Sequence, residues 1–534
     1  MSINNQTLEK LAGLAMSGSS PSAGLPDAGL LRQWASQLFA AMPNQSASLE
    51  PVQYAPQLSG AGLPALPGVD SGALSALARR SFTNPNDIGL APWPVPSAGS
   101  GESAAPVNYY FVSELAKHAA DPSLAPAEFD VQRVRRDFPI LQERVNGYPL
   151  AWLDNAATTQ KPLAVIDRIS EFYKHENSNI HRAAHELAAR ATDAYEHARD
   201  VVARFLNASS SNEIIFVRGS TEGINLVAKS WGKQNIGAGD EIVISWLEHH
   251  ANIVPWQQLA AETGAVLRVI PVDDHGQVIL AEFQKLLNPR TKLVSFTHVS
   301  NALGTITPAH EMIEMAHRAG ARVLLDAAQS VSHIRVDVQS LNPDWLVFSG
   351  HKIFGPTGIG VVYGKFDLLE ETQPWQGGGN MIEDVTFEHT RYQPAPAKFE
   401  AGTGNIADAV GLGAALEYLS GLGIERVAYY EHELLHYGTH VLQGIPGVRL
   451  IGTAPDKTSV LSFVLAGYSP LEVGTALNEA GIAVRAGHHC AQPILRRFGL
   501  ESTVRPSLAF YNTYEEIDRL GGVIKRLQCQ KRYF

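Results

Sequence analysis

Seven short and almost wholly apolar runs recur between residues 213 and 364. They are EIIFV (213–217), EIVIS (241–245), VLRVI (266–270), KLVSF (292–296), RVLLD (322–326), WLVF (345–348) and GIGVVYG (358–364), with helical stretches between most of them. A strand that is apolar on both faces needs cover on both faces. Such strands alternating with helices predict an α/β fold with a mostly parallel sheet clad on each side. Ligands in such a fold bind at the carboxyl ends of the strands. The polar residues that follow each run are therefore the candidate site.

WLVF leads into Ser349-Gly350-His351-Lys352 and then the glycine-rich IFGPTGIG. Desolvation in a strand-end crevice disfavours a charged lysine, and a neutral amine can form a Schiff base with an aldehyde cofactor. Twenty-six residues upstream, VLLDAAQS sets Asp326 at the end of another run. This pairing is what pyridoxal phosphate needs: a carboxylate to keep the pyridine nitrogen protonated and a lysine to carry the aldehyde. Arg218 to Asn225 (RGSTEGIN) follows EIIFV and opens a helix. Backbone N–H groups and small hydroxyls at a helix start can cradle a phosphate, while simple capping by Ser220 or Thr221 is the plain alternative.

Glu248-His249-His250-Ala251-Asn252 follows EIVIS, and a histidine there can stack on a flat cofactor. Thr297 to Asn301 ends KLVSF and offers Asn301 to a substrate carboxylate. The glycine-framed turn Phe399 to Gly404 can reach another phosphate oxygen. Arg485-Ala486-Gly487-His488-His489-Cys490-Ala491 surrounds a cysteine with cationic neighbours, the setting of a nucleophile. Arg505 in TVRPSLAF can clamp a carboxylate bidentately. The adjacent pair His249-His250 and the helical i, i+4 spacing of His181 and His185 raise a metal site. No completing set of ligands accompanies either, so no metal is expected.

The 534 residues exceed one ordinary core, and four segments are expected. Residues 1–127 carry fourteen of the 31 prolines and only thirteen charged residues. Such composition is expected to be mostly disordered, with apolar islands such as the helical stripe Leu30, Leu31, Trp34, Leu38 and Phe39. Residues 128–150 read as a segment packing on a small domain, 151–395 as the large cofactor domain and 396–534 as a smaller α+β domain. A formal charge of −11 argues against nucleic acid. No apolar run reaches the length of a membrane span, and MSINNQTLEK lacks the form of a signal peptide. Two cysteines, Cys490 and Cys529, exclude a disulfide framework and suit the cytoplasm.

From about residue 129 onward, LDNAATTQKP, RGSTEGINLVA, EHHANIVPWQ, THVSNALGT, LLDAAQS, SGHKIFGPTGIG, FEAGTGN, RAGHHCA and YNTYEEIDRL occur in order. Together they resemble the group II, Suf-type cysteine desulfurases, pyridoxal-phosphate enzymes of fold type I. The resemblance implies that Lys352 is the Schiff-base lysine and that Asp326 pairs with the pyridinium. It implies that His249 stacks on the ring and Gln329 bonds its hydroxyl. Thr221, Ser349 and His351 would hold the phosphate, with Thr403 of the partner subunit in a homodimer. Asn301 and Arg505 would bind the substrate carboxylate, with His181, Arg182 and Arg485 close by. Cys490 would take sulfur from L-cysteine as a persulfide, releasing alanine. An acceptor protein or small thiol would then receive the sulfur, for uses such as iron–sulfur cluster assembly.

The short RAGHHCA stretch is the group II form, which implies a sheltered persulfide. Selenocysteine lyase activity is the alternative on the same machinery. Ordinary members lack the N-terminal extension. It resembles the cargo-loading domains of desulfurases packed inside encapsulin shells, so an encapsulin shell is an expected partner. A further alternative is a protein acting mainly in assembly through this extension. The intact set of Lys352, Asp326 and Cys490 stands against it.

Overall fold

A computed structural model describes residues 129–531 apart from 182 and 183. The expectations placed on residues 1–127 and on Arg182 lie outside the described residues.

All seven apolar runs enter one sheet. Its strands are β1 (Ile214–Val217), β2 (Glu241–Ser245), β3 (Val266–Ile270), β4 (Thr291–Thr297), β5 (Arg322–Asp326), β6 (Trp345–Ser349) and β7 (Gly360–Gly364). Their spatial order is β1-β7-β6-β5-β4-β2-β3. Strands β2 to β6 pair in parallel, and β7 is antiparallel to both β1 and β6. The fold is thus the expected mostly parallel sheet, with one reversed strand.

The period-two geometry of a strand explains why these runs are apolar throughout. On β6, Trp345 and Val347 join a core with Ile224, Trp256 and Leu259 on one side of the sheet. Leu346 and Phe348 join a second core with Ala198, Val202 and Met312 on the other. The first core is capped by α3 (Ser220–Val227) and α4 (Val254–Thr263), the second by α2 (Glu186–Leu206) and α5 (Ala309–Arg318). Helix α1 (Leu163–His175) and helix α6 (Ile406–Leu422) pack together, and α6 also packs on α2.

Close backbone approach fixes the edge of the sheet next to the site. A Cβ on Gly360 would lie 2.5 Å from the Cα of Gly219, so only glycine lets β7 come this near the start of α3. A Cβ on Gly223 would lie 2.8 Å from Val362 Cγ2, which holds α3 flat on the sheet.

A second, antiparallel sheet follows, with β8 (Val448–Ile451), β9 (Ser462–Leu465), β10 (Arg485–Gly487) and β11 (Thr503–Arg505) in the order β8-β9-β11-β10. Helices α7 (Ile424–Gln443) and α8 (Pro470–Glu479) pack with it, and α9 (Tyr514–Lys531) packs with both helices. The chain from 129 to 153 runs along this part of the molecule. Phe129 stacks on Tyr430 at 4.9 Å, Arg135 pairs with Glu516 at 3.0 Å, and Ala151-Trp152 pairs in parallel with Ile482-Ala483. The next residues, Asp154 to Thr159, then cross to the carboxyl end of the large sheet: the Thr159 N–H donates to the His351 carbonyl at 3.0 Å.

Candidate active site

Five strands of the large sheet deliver polar residues to one cavity of about 200 Å³. Lys352 arrives on a short 3-10 turn after β6, and Asp326 is the last residue of β5. His249 follows β2, Asn301 follows β4, and Ser220 and Thr221 open α3 after β1. The small sheet adds Arg485 at the start of β10, Cys490 from the loop after it, and Arg505 at the end of β11.

The lysine turn is pinned from the other end of the chain. The carbonyl of His351 accepts from Thr158 Oγ1 at 3.0 Å and from Lys161 Nζ at 3.2 Å, and Phe354 N–H donates to Thr159 Oγ1 at 2.7 Å. Burial pushes the Lys352 amine down to about 8, with Asp326 opposing the shift and Arg505 and Arg485 adding to it. Burial raises the Asp326 carboxyl, while the Ala328 N–H on its Oδ1 at 3.0 Å and the charge of Lys352 pull it back. Burial and Lys352 hold His249 at about 3, so its ring is neutral. Its Nδ1 accepts the Ala251 N–H at 3.0 Å, which leaves the proton on Nε2.

At the phosphate-like end, Ser349 Oγ accepts the Ser220 N–H at 2.9 Å and lies 3.0 Å from Ser220 Oγ. Helix α3 thus starts on a cluster of hydroxyls with no side-chain cap from Gly219, a setting that favours an anion.

The arginines share one anchor. Asp154 Oδ1 accepts from Arg505 Nη2 at 3.3 Å, and its Oδ2 accepts from Arg485 Nη2 at 3.2 Å. Arg505 Nη1 donates to the Asn301 carbonyl at 2.9 Å, while its buried Nε has no partner. Burial lowers this guanidinium to about 10. Asn301 gives its Nδ2 to the His489 carbonyl at 2.7 Å, so its unpartnered Oδ1 is the open atom.

The cavity therefore brings together eleven of the residues the sequence singled out: Lys352, Asp326, His249, Gln329, Thr221, Ser349, His351, Asn301, Arg505, Arg485 and Cys490. Gln329 is anchored by its Nε2 on the Ala156 carbonyl at 2.7 Å. Two others lie elsewhere. Thr403 lines a different cavity, beside Tyr195 and Trp375. His181 bonds Glu196 at 2.9 Å in a third cavity. The helical spacing read for His181 and His185 is not realised. His185 caps the start of α2, and His181 precedes the helix with φ +64°. Among the described residues no group of three or more His, Cys, Asp or Glu is placed to hold a metal.

Residues that sequence reasoning left unassigned also serve the site. They are Asp154, His489 and the fully buried Glu248, while Ser220, read from the sequence as a cap or a cradle hydroxyl, lines the cavity too. Glu248 accepts from Ser245, from the Thr297 N–H at 3.0 Å and from Asn252 Nδ2 at 2.6 Å, and burial still lifts its carboxyl to about 8. It braces the ends of β2 and β4 beneath His249.

The donor set fits pyridoxal phosphate. A buried carboxylate short of a cationic partner suits a pyridinium, a depressed lysine suits an aldehyde, and a hydroxyl-lined helix start suits a phosphate. Fold and site together define a pyridoxal-phosphate-dependent enzyme of fold type I. Residues 151–520 match the family model "Aminotransferase class-V". A cysteine desulfurase of Synechococcus elongatus is 75% identical over 400 residues, covering 75% of this chain and 64% of that protein. The chain thus spans less than two thirds of that relative's length. A probable cysteine desulfurase of Mycolicibacterium paratuberculosis is 60% identical over 478 residues, covering 89% of this chain and 69% of that one. That match is longer than the run from residue 129 to the end, so it reaches into the N-terminal extension. The crystal structure of the Escherichia coli cysteine desulfurase CsdA in its S-sulfonic acid form superposes with a TM-score of 0.71 at 40% identity, covering 76% of this chain and all of the other. The chain belongs to the class-V aminotransferase family and, within it, to the pyridoxal-phosphate-dependent cysteine desulfurases.

Proposed function

We propose that this protein takes sulfur from L-cysteine, releases alanine and carries the sulfur on Cys490 as a persulfide. The observation that carries the reading is a single cavity lined at once by Lys352, Asp326, Arg505 and Cys490. When bound, pyridoxal phosphate supplies an electron sink for charge at the substrate's α-carbon. Lys352 Nζ, whose neutral form burial brings within reach by lowering it to about 8, takes the α-proton. Arg505, oriented by Asp154, holds the substrate carboxylate, with Asn301 beside it. His249 keeps a neutral ring and a proton on Nε2 toward the cavity. The Sγ of Cys490 attacks the substrate's sulfur, the carbon–sulfur bond breaks, and its electron pair stays on carbon, which gains a proton as alanine forms.

The finer assignment is to the Suf-type group II. The support is the short RAGHHCA turn around a half-buried Cys490, which suits transfer to a dedicated acceptor protein or a strong small thiol. A homodimer is part of this reading. The resemblance implies that Thr403 of the partner subunit reaches the phosphate, and Thr403 of this chain lies off the cavity, as that reading requires. Residues 1–127 are read as the segment that loads the enzyme into an encapsulin shell in the cytoplasm, on the resemblance of their composition and apolar islands to such cargo domains.

The test of the reaction is direct. Holoenzyme given L-cysteine and a thiol acceptor should yield alanine and sulfane sulfur in equal amounts. A parallel assay with selenocysteine separates desulfurase from selenocysteine lyase. Alanine formation from selenocysteine alone would replace the proposed substrate.

A further inference from the structure

The turn that carries Cys490 is held partly from outside itself. His489 and Cys490 both have φ of 54°, in the left-handed region that residues with a Cβ disfavour. Two such residues in succession persist only where their surroundings over-determine them. Asn301 Nδ2 holds the His489 carbonyl, the His489 ring meets Thr503 Oγ1 at 2.8 Å and the Ala491 N–H donates to the His488 carbonyl at 2.9 Å; of three further hydrogen bonds, His250 makes two. Its backbone N–H donates to the Cys490 carbonyl at 2.7 Å. Its ring Nε2 accepts the Gln492 N–H at 3.3 Å. The third bond runs from the Cys490 N–H to His488 Nδ1 at 3.0 Å. The rings of His250 and His488 stack with centroids 5.8 Å apart and an interplanar angle of 29°. His250 thus grips the turn on both sides of the cysteine, and it does so from another element, the turn after β2. It is not among the residues lining the cavity, whereas its neighbour His249 is.

We propose that His250 is the positioning residue for Cys490, its imidazole acting as the acceptor that holds residues 488–492 with the thiol at the cavity. This rests on the reading of Cys490 as the sulfur acceptor. The geometry demands an unprotonated Nε2, since a proton there would face the Gln492 N–H. Burial and the neighbouring His488 lower His250 below the usual imidazole range, which keeps it neutral at pH 7. The consequence is a separation of steps. Substrate binding and α-proton removal use Arg505 and Lys352, neither of which bonds to residues 488–492; Asn301 meets the turn at the His489 carbonyl and not at His250. Sulfur capture alone needs the thiol at its station.

Two substitutions test it in the holoenzyme. His250→Phe keeps a ring to stack on His488 and removes the acceptor. His250→Gln gives up the ring and keeps a carbonyl acceptor of similar reach. Rapid mixing with L-cysteine follows two signals: the change in the cofactor's visible spectrum, and persulfide on Cys490 read by mass spectrometry after quenching. The expected result is an unchanged spectral rate in both variants. Persulfide formation should slow by up to about tenfold in His250→Phe, the upper scale of one lost hydrogen bond, and largely recover in His250→Gln. Cys490 in the resting His250→Phe enzyme should also be alkylated faster by iodoacetamide. Persulfide forming at the wild-type rate in His250→Phe overturns the proposal, and so does an equal slowing of both signals. If wild-type enzyme turns over with no persulfide on Cys490, the underlying assignment of the cysteine has failed, and the proposal falls with it.

Discussion

Lys352 owes its chemistry to where it is kept. A lysine in water is charged until pH 10 or so, whereas burial brings this amine to about 8. Only the neutral amine attacks an aldehyde. The sign follows: cofactor uptake by the apoprotein should quicken as pH rises and level off above about 8, two units below a free lysine. Stopped-flow absorbance during reconstitution reads this, and a rate still climbing at pH 10 would contradict it. Lys352→Ala should form no visible-absorbing bond to the cofactor at any pH. In the reaction proposed Cys490 acts later than the lysine, so Cys490→Ser should keep the bound cofactor's spectrum and its response to L-cysteine while losing at least about a thousandfold in alanine formation. Persulfide on Cys529 with turnover intact would transfer the role to the other cysteine. Asp154 binds no substrate itself, yet both arginines lean on it. Asp154→Asn should raise KM for L-cysteine about tenfold with a smaller change in kcat, because a charge-assisted anchor to the guanidinium proposed to bind the carboxylate is weakened. Steady-state kinetics separates the two constants.

The elements converge because parallel strands end on one side. Asp326, Ser349, Thr297 and the residues after Ser245 and Val217 all fall at the same edge of the sheet. Gly360 is the tightest point of that edge, with the Gly219 backbone packed where a methyl group would go. Gly360→Ala should cost about 1–3 kcal/mol through overpacking, seen as a lower Tm. It should also loosen cofactor retention, because the displaced backbone carries Ser220 and Thr221. A variant with a lower Tm and unaltered cofactor affinity would show that the strain is absorbed away from α3. This architecture was legible in the sequence because burial on both faces leaves runs such as IVIS and WLVF without alternation. The reversal of β7 was not, since GIGVVYG carries the same apolar signal whichever way it runs. The residues that meet in the cavity were legible where they end a run or follow it within a few positions, as Asp326, Lys352 and His249 do. Asp154 was not, because its partners Arg485 and Arg505 lie more than 300 residues away. Glu248 reads as an ordinary polar strand end. Only the fold reveals that Ser245, Asn252 and Thr297 surround it.

At the scale of the whole molecule, the catalytic parts and the extension separate cleanly along the chain. Every described residue that lines the cavity lies between 156 and 505, and the motifs of the chemistry proposed are complete without residues 1–127. Their amino-acid usage points to another task. Apolar islands at Leu30 to Phe39, Leu74 to Leu77, Ile88 to Trp93 and Tyr109 to Leu115 are separated by proline-, glycine- and serine-rich spacers. Several weak sites on one chain bind a surface of repeated, identical subunits far better than any one does, through effective concentration. The inner wall of a protein shell is such a surface, and a homodimer doubles the number of islands offered to it. Part of the extension also has a counterpart in the mycobacterial relative, so this stretch is not peculiar to one chain. Co-expression with the host's shell protein tests the idea. Enzyme lacking residues 1–127 should keep full desulfurase activity and its dimeric mass but stay outside the shell. The extension fused to a fluorescent reporter should enter it, and removing the islands one at a time should lower loading in steps rather than abolish it at once. Equal encapsulation of the truncated enzyme, or a reporter left outside, would refute the assignment, while loading lost with the Leu30 to Phe39 island alone would replace the multivalent tether with a single docking site.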